Sequence, residues 1–191
     1  MEAMVAQQTV GAARGFLNPQ SVVLNSGVMA GQKVADFGSG HGYFVTEFAN
    51  AVGEAGHVYA VDVQRLSLEA VMNKVYLLGL TNVEPILANL ELPGSTALRD
   101  ESLDLVIISN LLHQVVDQEA VINEAQRIIK PGGTLTVVGW IPHTRLAPAG
   151  RHLTPDQLND MALAAGLEFS RSFDCGAYHW GLNFRKKFRT Y

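Results

Sequence analysis

Cysteine is almost missing from this 191-residue chain. Cys175 is the single one, so no internal disulfide can form. Excess charge is scarce too: 14 Lys and Arg stand against 18 Asp and Glu, a formal net charge of −4. That balance gives no general attraction to nucleic acid or to an anionic membrane. No uninterrupted apolar run reaches membrane-spanning length. The histidines, His41, His57, His113, His143, His152 and His179, are scattered without the paired spacing of a zinc site, so no metal is expected. Met1-Glu2-Ala3 opens the chain without a basic stretch and a following apolar block. A signal peptide is therefore not expected, and a cytoplasmic location is. Repeats, low-complexity segments and a second-domain linker are absent as well. Nearly half the residues, 48%, are apolar, which supports a compact globule over a disordered chain. The length fits one domain.

What is present is an alternation of short apolar runs and helical patterns. Residues 1–17 are weakly patterned and form a tail or a lid; residues 18–191 form the domain. Asn18-Pro19 starts a helix that stops at Gly27, with Asn as cap and Pro at the first helical position. Strands are predicted at Lys33–Phe37, His57–Asp62, Asn82–Ala88, Leu103–Ser109, Thr134–Trp140, Leu167–Phe173 and Tyr178–Phe188. Helices fall between them. Tyr43–Val52 carries Phe44, Phe48 and Val52 on one face. Leu66–Leu78 ends at Gly79, and Asp117 caps a helix with Lys130 in its last turn. Thr154-Pro155-Asp156-Gln157 is a capping box for a helix ending at Gly166. Residues 91–102 and 141–153 read as loops. Strand–helix alternation gives an α/β fold with a mostly parallel seven-stranded sheet between helices. The tight turn at Asp174–Ala177 makes the last strand antiparallel.

The richest stretch is Asp36-Phe37-Gly38-Ser39-Gly40-His41-Gly42, followed by Asp62 at the end of the second strand. Glycines let a polar group approach the backbone, and a carboxylate at that strand end can grip a ribose diol. Tyr43 stands where a dinucleotide fingerprint needs a small residue, and no lysine lies in the loop to neutralise phosphate. Asp36 just before the loop suits a cationic ligand better than a pyrophosphate.

These residues resemble the first motif of the class I S-adenosylmethionine-dependent methyltransferases. The resemblance runs over roughly residues 18–188, and the nearest group is similar to the ubiquinone/menaquinone C-methyltransferases. Leu103–Asn110 matches the family's fourth strand, and Ile129-Lys130-Pro131-Gly132-Gly133 its later turn, with Ile for the commoner Leu. The resemblance implies a three-layer Rossmann-like fold, S-adenosylmethionine as cofactor and S-adenosylhomocysteine as product. It further implies a cofactor site of Asp36, Gly38, Ser39, Gly40, Gly42, Tyr43, Asp62, Val63, Asn89, Leu90 and Asn110. Asp62 would bind ribose hydroxyls, and Asn89, where the family usually has Asp, would meet the adenine edge.

Simpler readings stand beside these. Asp62 also fits a helix cap, and Asn89 and Asn110 fit turn asparagines. His113 is the best-placed base after the fourth strand, or a histidine satisfying a loop. Trp140 and His143, after the fifth strand, line a substrate pocket or pack a loop. Ser109-Asn110-Leu111-Leu112 lacks the Pro-Pro-aromatic clamp of amino-group methyltransferases for nucleic acid. The expected acceptor is therefore a small molecule. RNA or protein methylation, or cofactor binding without catalysis, are the alternatives. Cys175 has no neighbouring base or cation to activate it. The basic run Arg185-Lys186-Lys187-Phe188-Arg189 is expected as the charged end of an exposed strand that blocks edge pairing, with contact to RNA or an anionic substrate as the alternative.

Overall fold

The computed structural model describes residues 15–142 and 144–188. Seven strands form one sheet in the order β3-β2-β1-β4-β5-β7-β6. They are β1 (Lys33–Phe37), β2 (His57–Asp62), β3 (Val83–Leu87), β4 (Leu103–Ser109), β5 (Ile129–Trp140), β6 (Leu167–Asp174) and β7 (His179–Lys186). The first five are parallel; β7 runs antiparallel to both β5 and β6. The chain order reverses between β1 and β4, and ligands of open α/β sheets bind beyond the carboxyl ends of strands at such a point.

The central strands β1 and β4 are buried on both faces because alternate strand residues serve two cores. In β4, Val106 and Ile108 join Val121, Ile122, Ala125 and Ile128 of α4 (Gln118–Ile128) and Leu158 and Ala162 of α5 (Pro155–Ala164). Leu105 and Ile107 join the opposite core with Val22 of α1 (Pro19–Ser26), Phe48 and Val52 of α2 (Val45–Val52) and Val71 of α3 (Arg65–Leu77). Each fully buried side chain of this size contributes about 1.5–3 kcal/mol. Three helix starts are read correctly from the sequence. Asn18 accepts from the Ser21 N–H, Asp117 from the Ala120 N–H, and Thr154 with Gln157 forms a capping box. No helix among the described residues is long and apolar enough to cross a membrane.

Three expectations need correction. β5 begins at Ile129, not Thr134: Ile129 pairs with Leu103 and Thr134 with Leu105, so Lys130–Gly133 bulges out within one strand. Gly132, at φ 79°, permits that turn. Lys130 is consequently past the end of α4, where its Nζ meets the Asp104 carboxylate at 2.7 Å. Residues 43 and 44 precede α2 instead of starting it. β7 lies inside the sheet and β6 is the edge, because the last hairpin folds its second strand back against β5. The basic run is therefore not an edge guard. Arg185 donates to the Gly132 carbonyl, Lys186 to the Gln126 carbonyl with Glu101 beside it, and Lys187 meets Glu168.

Candidate active site

The glycine loop follows β1 and is fastened to the end of β2. Gly38 and Ser39 N–H both donate to the Val61 carbonyl, at 2.8 and 3.0 Å. Gly40 N–H donates to Asp62 Oδ2 at 2.9 Å, and Gln64 N–H to Asp62 Oδ1 at 2.8 Å. Asp62 thus organises both the loop and the approach to α3, while each carboxylate oxygen keeps further acceptor capacity. Two glycines are required for different reasons. Gly38, at φ 71°, is pressed on Leu111: a Cβ there would lie 2.9 Å from Leu111 Cδ1. Gly40, at φ 51°, faces open space, which leaves the backbone approachable at that point.

Asp36 lies one residue before the end of β1 and is only 2% exposed. Burial, then the neighbouring Asp62 charge, pushes its carboxyl up to about 7. Its Oδ2 and the buried Ser39 Oγ have no hydrogen-bond partner among the described residues. Buried polar atoms are rarely left unpaired. A pair of orphaned oxygens beside an open glycine is what a polar, cationic ligand would complete.

At the end of β3, Asn89 Oδ1 accepts from the Glu91 N–H and its carbonyl from Ser95 Oγ; Leu90 is buried, while Val63, after β2, is exposed. The following loop is clamped to α4. Glu91 Oε2 takes the N–H groups of Val116 and Asp117. Glu124, buried in α4, accepts from Gly94 N–H, Thr96 Oγ1 and the Arg127 guanidinium at 2.6–2.9 Å. Arg127 also reaches the Leu98 carbonyl and Asp100. Burial alone would raise the Glu124 pKa. The hydrogen bonds from Arg127, Thr96 and Gly94, with the Arg127 charge, outweigh it and hold the group at about 2. Sequence reasoning missed this clamp; the signal was Glu124 and Arg127 at i, i+3 opposite a loop of hydroxyls and amides.

The ends of β4 and β5 carry an aromatic box. Asn110 takes φ 53°, rare for a non-glycine residue, and its Nδ2 lies 3.2 Å from His179 Nε2. His179, 3% exposed, pairs in register with Trp140, and their rings lie 4.1 Å apart. Burial lowers the His179 pKa to about 4, so the ring is neutral at physiological pH. Asn110 Oδ1 and His179 Nδ1 are buried without partners among the described residues. Phe16 packs on Trp140, Tyr178 and His179, at 5.9, 6.1 and 5.4 Å. Its segment is held at both ends: Tyr43 OH donates to the Leu17 carbonyl at 2.6 Å, and Ala177 N–H to the Gly15 carbonyl. Residues 15–17 therefore bridge the glycine loop and the β6–β7 turn. Phe16, Tyr178 and His179 were not read as site residues. Only the register that sets His179 beside Trp140 assembles them.

His113 lies elsewhere on the rim. It stacks on His152 at 5.0 Å, and burial, then His152, lowers its pKa. With Asn110, Leu153 and Trp180 it lines a cavity of about 20 Å³, the space of a single water. Trp140 belongs to both that cavity and the aromatic box, and Asn110, which also lines the cavity, touches His179 of the box. His143 and residues 1–14 lie outside the described residues. Cys175 is buried, and burial with Asp174 pushes its thiol up to about 12, so it is no nucleophile.

Strand order, glycine loop and β2 carboxylate together define a class I S-adenosylmethionine-dependent methyltransferase. The chain belongs to the methyltransferase domain family, whose model matches residues 29–168, and its cofactor is S-adenosylmethionine. It is 38% identical over 115 residues to the ubiquinone/menaquinone biosynthesis C-methyltransferase UbiE of Haemophilus ducreyi, a match covering 59% of this chain and 43% of that protein. The chain thus spans less than half the length of that relative. A SAM dependent methyltransferase from Aquifex aeolicus superposes with a TM-score of 0.79 at 26% identity, covering 88% of this chain and 89% of the other. The arsenic(III) S-adenosylmethionine methyltransferase of Chlamydomonas reinhardtii, at 23% identity and a TM-score of 0.68 over 83% and 64% of the two chains, shares the fold.

Proposed function

We propose that this enzyme methylates a small aromatic acceptor bearing ring oxygen, of the quinol or phenol kind, in the box formed by Phe16, Trp140, Tyr178 and His179. The single observation that carries the reading is this box. It is an apolar, ring-stacking surface beside the order-reversal point, with buried unpaired polar atoms in its wall. The name of the Haemophilus ducreyi relative, a quinone C-methyltransferase, supports it.

On the cofactor side, Asp62 takes the ribose hydroxyls with its remaining lone pairs, and Val63, Asn89 and Leu90 border the adenine. Gly38, Gly40 and Gly42 give the backbone room. Asp36, Ser39 and Asn110 supply polar atoms toward the cationic end. When bound, S-adenosylmethionine supplies an electrophilic methyl group, so the chain's task is alignment in a dry site rather than nucleophile activation. Tyr43 contributes by fixing the Leu17 carbonyl, which keeps Phe16 over the box. Residues 15–17 cover the box on a single domain, residues 18–191. His113 acts as a base only for acceptors that keep their proton at neutral pH. The partner is a small molecule, not nucleic acid: Arg185, Lys186 and Lys187 are engaged by acceptors of the same chain.

The test is tritiated methyl transfer from S-adenosylmethionine to a panel of naphthols, quinols, aliphatic amines, RNA and protein. Label should enter the hydroxylated aromatics. Label confined to RNA or protein would overturn the reading, and so would cofactor binding with no acceptor labelled.

A further inference from the structure

The Asn110–His179 pair is built more carefully than packing needs. Asn110 is held in a left-handed backbone conformation by its N–H to the Val138 carbonyl at 3.0 Å and by Gln114 Nε2 on its own carbonyl at 2.6 Å. Strained non-glycine residues of this kind persist where the surroundings over-determine them, and they gather at functional sites. The strain places Asn110 Nδ2 on His179 Nε2. An amide N–H₂ can only donate, so Nε2 accepts and the ring proton sits on Nδ1. Nδ1–H is then a buried donor with no acceptor among the described residues. The ring is gripped by Trp140 on one side and Phe16 at its edge. A buried, oriented, unsatisfied donor among aromatic rings is a costly arrangement unless a ligand completes it.

We infer that His179 is a substrate-contacting residue whose Nδ1–H donates to the ring oxygen of the acceptor, with Asn110 positioning it by fixing the tautomer. The inference rests on the aromatic-acceptor reading above. Its chemical sense is direct. A hydrogen bond to a phenol or quinol oxygen favours the oxyanion left when the O–H proton passes to water, and the oxyanion raises electron density at the neighbouring ring carbon. That carbon forms the new bond to the methyl as the carbon–sulfur bond breaks. The sulfur keeps the electron pair, and the ring carbon then gives its proton to water. The same donor rejects rings without oxygen, because they leave Nδ1–H unpaired.

The experiment uses the full chain saturated with S-adenosylhomocysteine and compares naphthol with naphthalene as probes. Binding is followed by the fluorescence of the chain's two tryptophans, Trp140 and Trp180. The wild type should bind naphthol about tenfold more tightly than naphthalene, the value of one net hydrogen bond. His179→Phe should bind both equally. His179→Asn, whose amide nitrogen falls where Nδ1 stood, should keep the preference, and His179→Gln, which keeps only the Nε2 position, should not. A naphthol preference that survives in His179→Phe overturns the inference while leaving the aromatic-acceptor reading intact. A wild type that binds neither probe overturns both. Should the Phe variant fail to fold, nitrogen-15 spectra of the wild type decide. The His179 Nδ1–H signal should move downfield with naphthol and not with naphthalene; no movement refutes the assignment.

Discussion

Asp36 offers the sharpest test, because its protonation must be coupled to the cofactor. The carboxyl is buried, its Oδ2 has no partner among the described residues, and its pKa is pushed up to about 7 from 3.8 by burial and then by Asp62. A cationic ligand favours the charged form, so binding should expel the proton. The sign follows. Below pH 7 the free protein holds a proton that the complex gives up, and affinity falls by up to about tenfold per pH unit. Between pH 8 and pH 5 S-adenosylmethionine should bind about a hundredfold more weakly. Calorimetry in two buffers of different ionisation enthalpy should find about 0.9 protons released at pH 6 and about 0.1 at pH 8. Asp36→Asn should bind weakly at every pH and lose the slope. The free protein behaves oppositely. A raised folded pKa contributes stability that is fully present below 3.8 and lost as pH rises through about 7. At pH 8 Asp36→Asn should therefore be more stable than the wild type, by at most about 4 kcal/mol. Proton release near zero at pH 6, or an unchanged slope in Asp36→Asn, would refute the coupling.

Asp62→Ala orphans the N–H groups of Gly40 and Gln64, at about 1–3 kcal/mol each in denaturant unfolding, and should weaken cofactor binding at least about tenfold. Unchanged affinity in a folded variant would leave Asp62 a loop fastener only. Arg127→Ala strands the buried Glu124 carboxylate and should cost about 3–5 kcal/mol, with part recovered by adding Glu124→Gln. Because the Glu124 pKa is lowered, its stabilisation is present above the unfolded value of 4.5 and is lost as pH falls toward about 2; acid unfolding of Glu124→Gln should lack that step. Gly38→Ala meets both a positive φ and Leu111, and should lose more than about 1 kcal/mol of stability. Gly40→Ala meets no atom but must take a positive φ, so it should lose about 1 kcal/mol of stability as well as cofactor affinity in calorimetry.

The sequence by itself determined the parts whose causes are local. Caps at Asn18, Asp117 and Thr154 declare themselves because a side chain two or three residues away satisfies the helix N–H groups. The parallel strands show as apolar runs because both faces of the sheet are buried. The glycine loop and Asp62 are legible because a tight turn beside a strand end leaves few residue choices. Tertiary structure alone decided the rest, since it depends on register and on partners far along the chain. Whether Ile129 belonged to a strand turned on its pairing with Leu103. The edge strand is β6 because the last hairpin inserts β7 against β5. His179 becomes a site residue only where β7 lays it beside Trp140, 39 positions away, and Asn110 turns to meet it. The sequence marked Asp36 as suited to a cationic ligand, but only removing its carboxyl from water beside Asp62 gave it a pKa near neutrality.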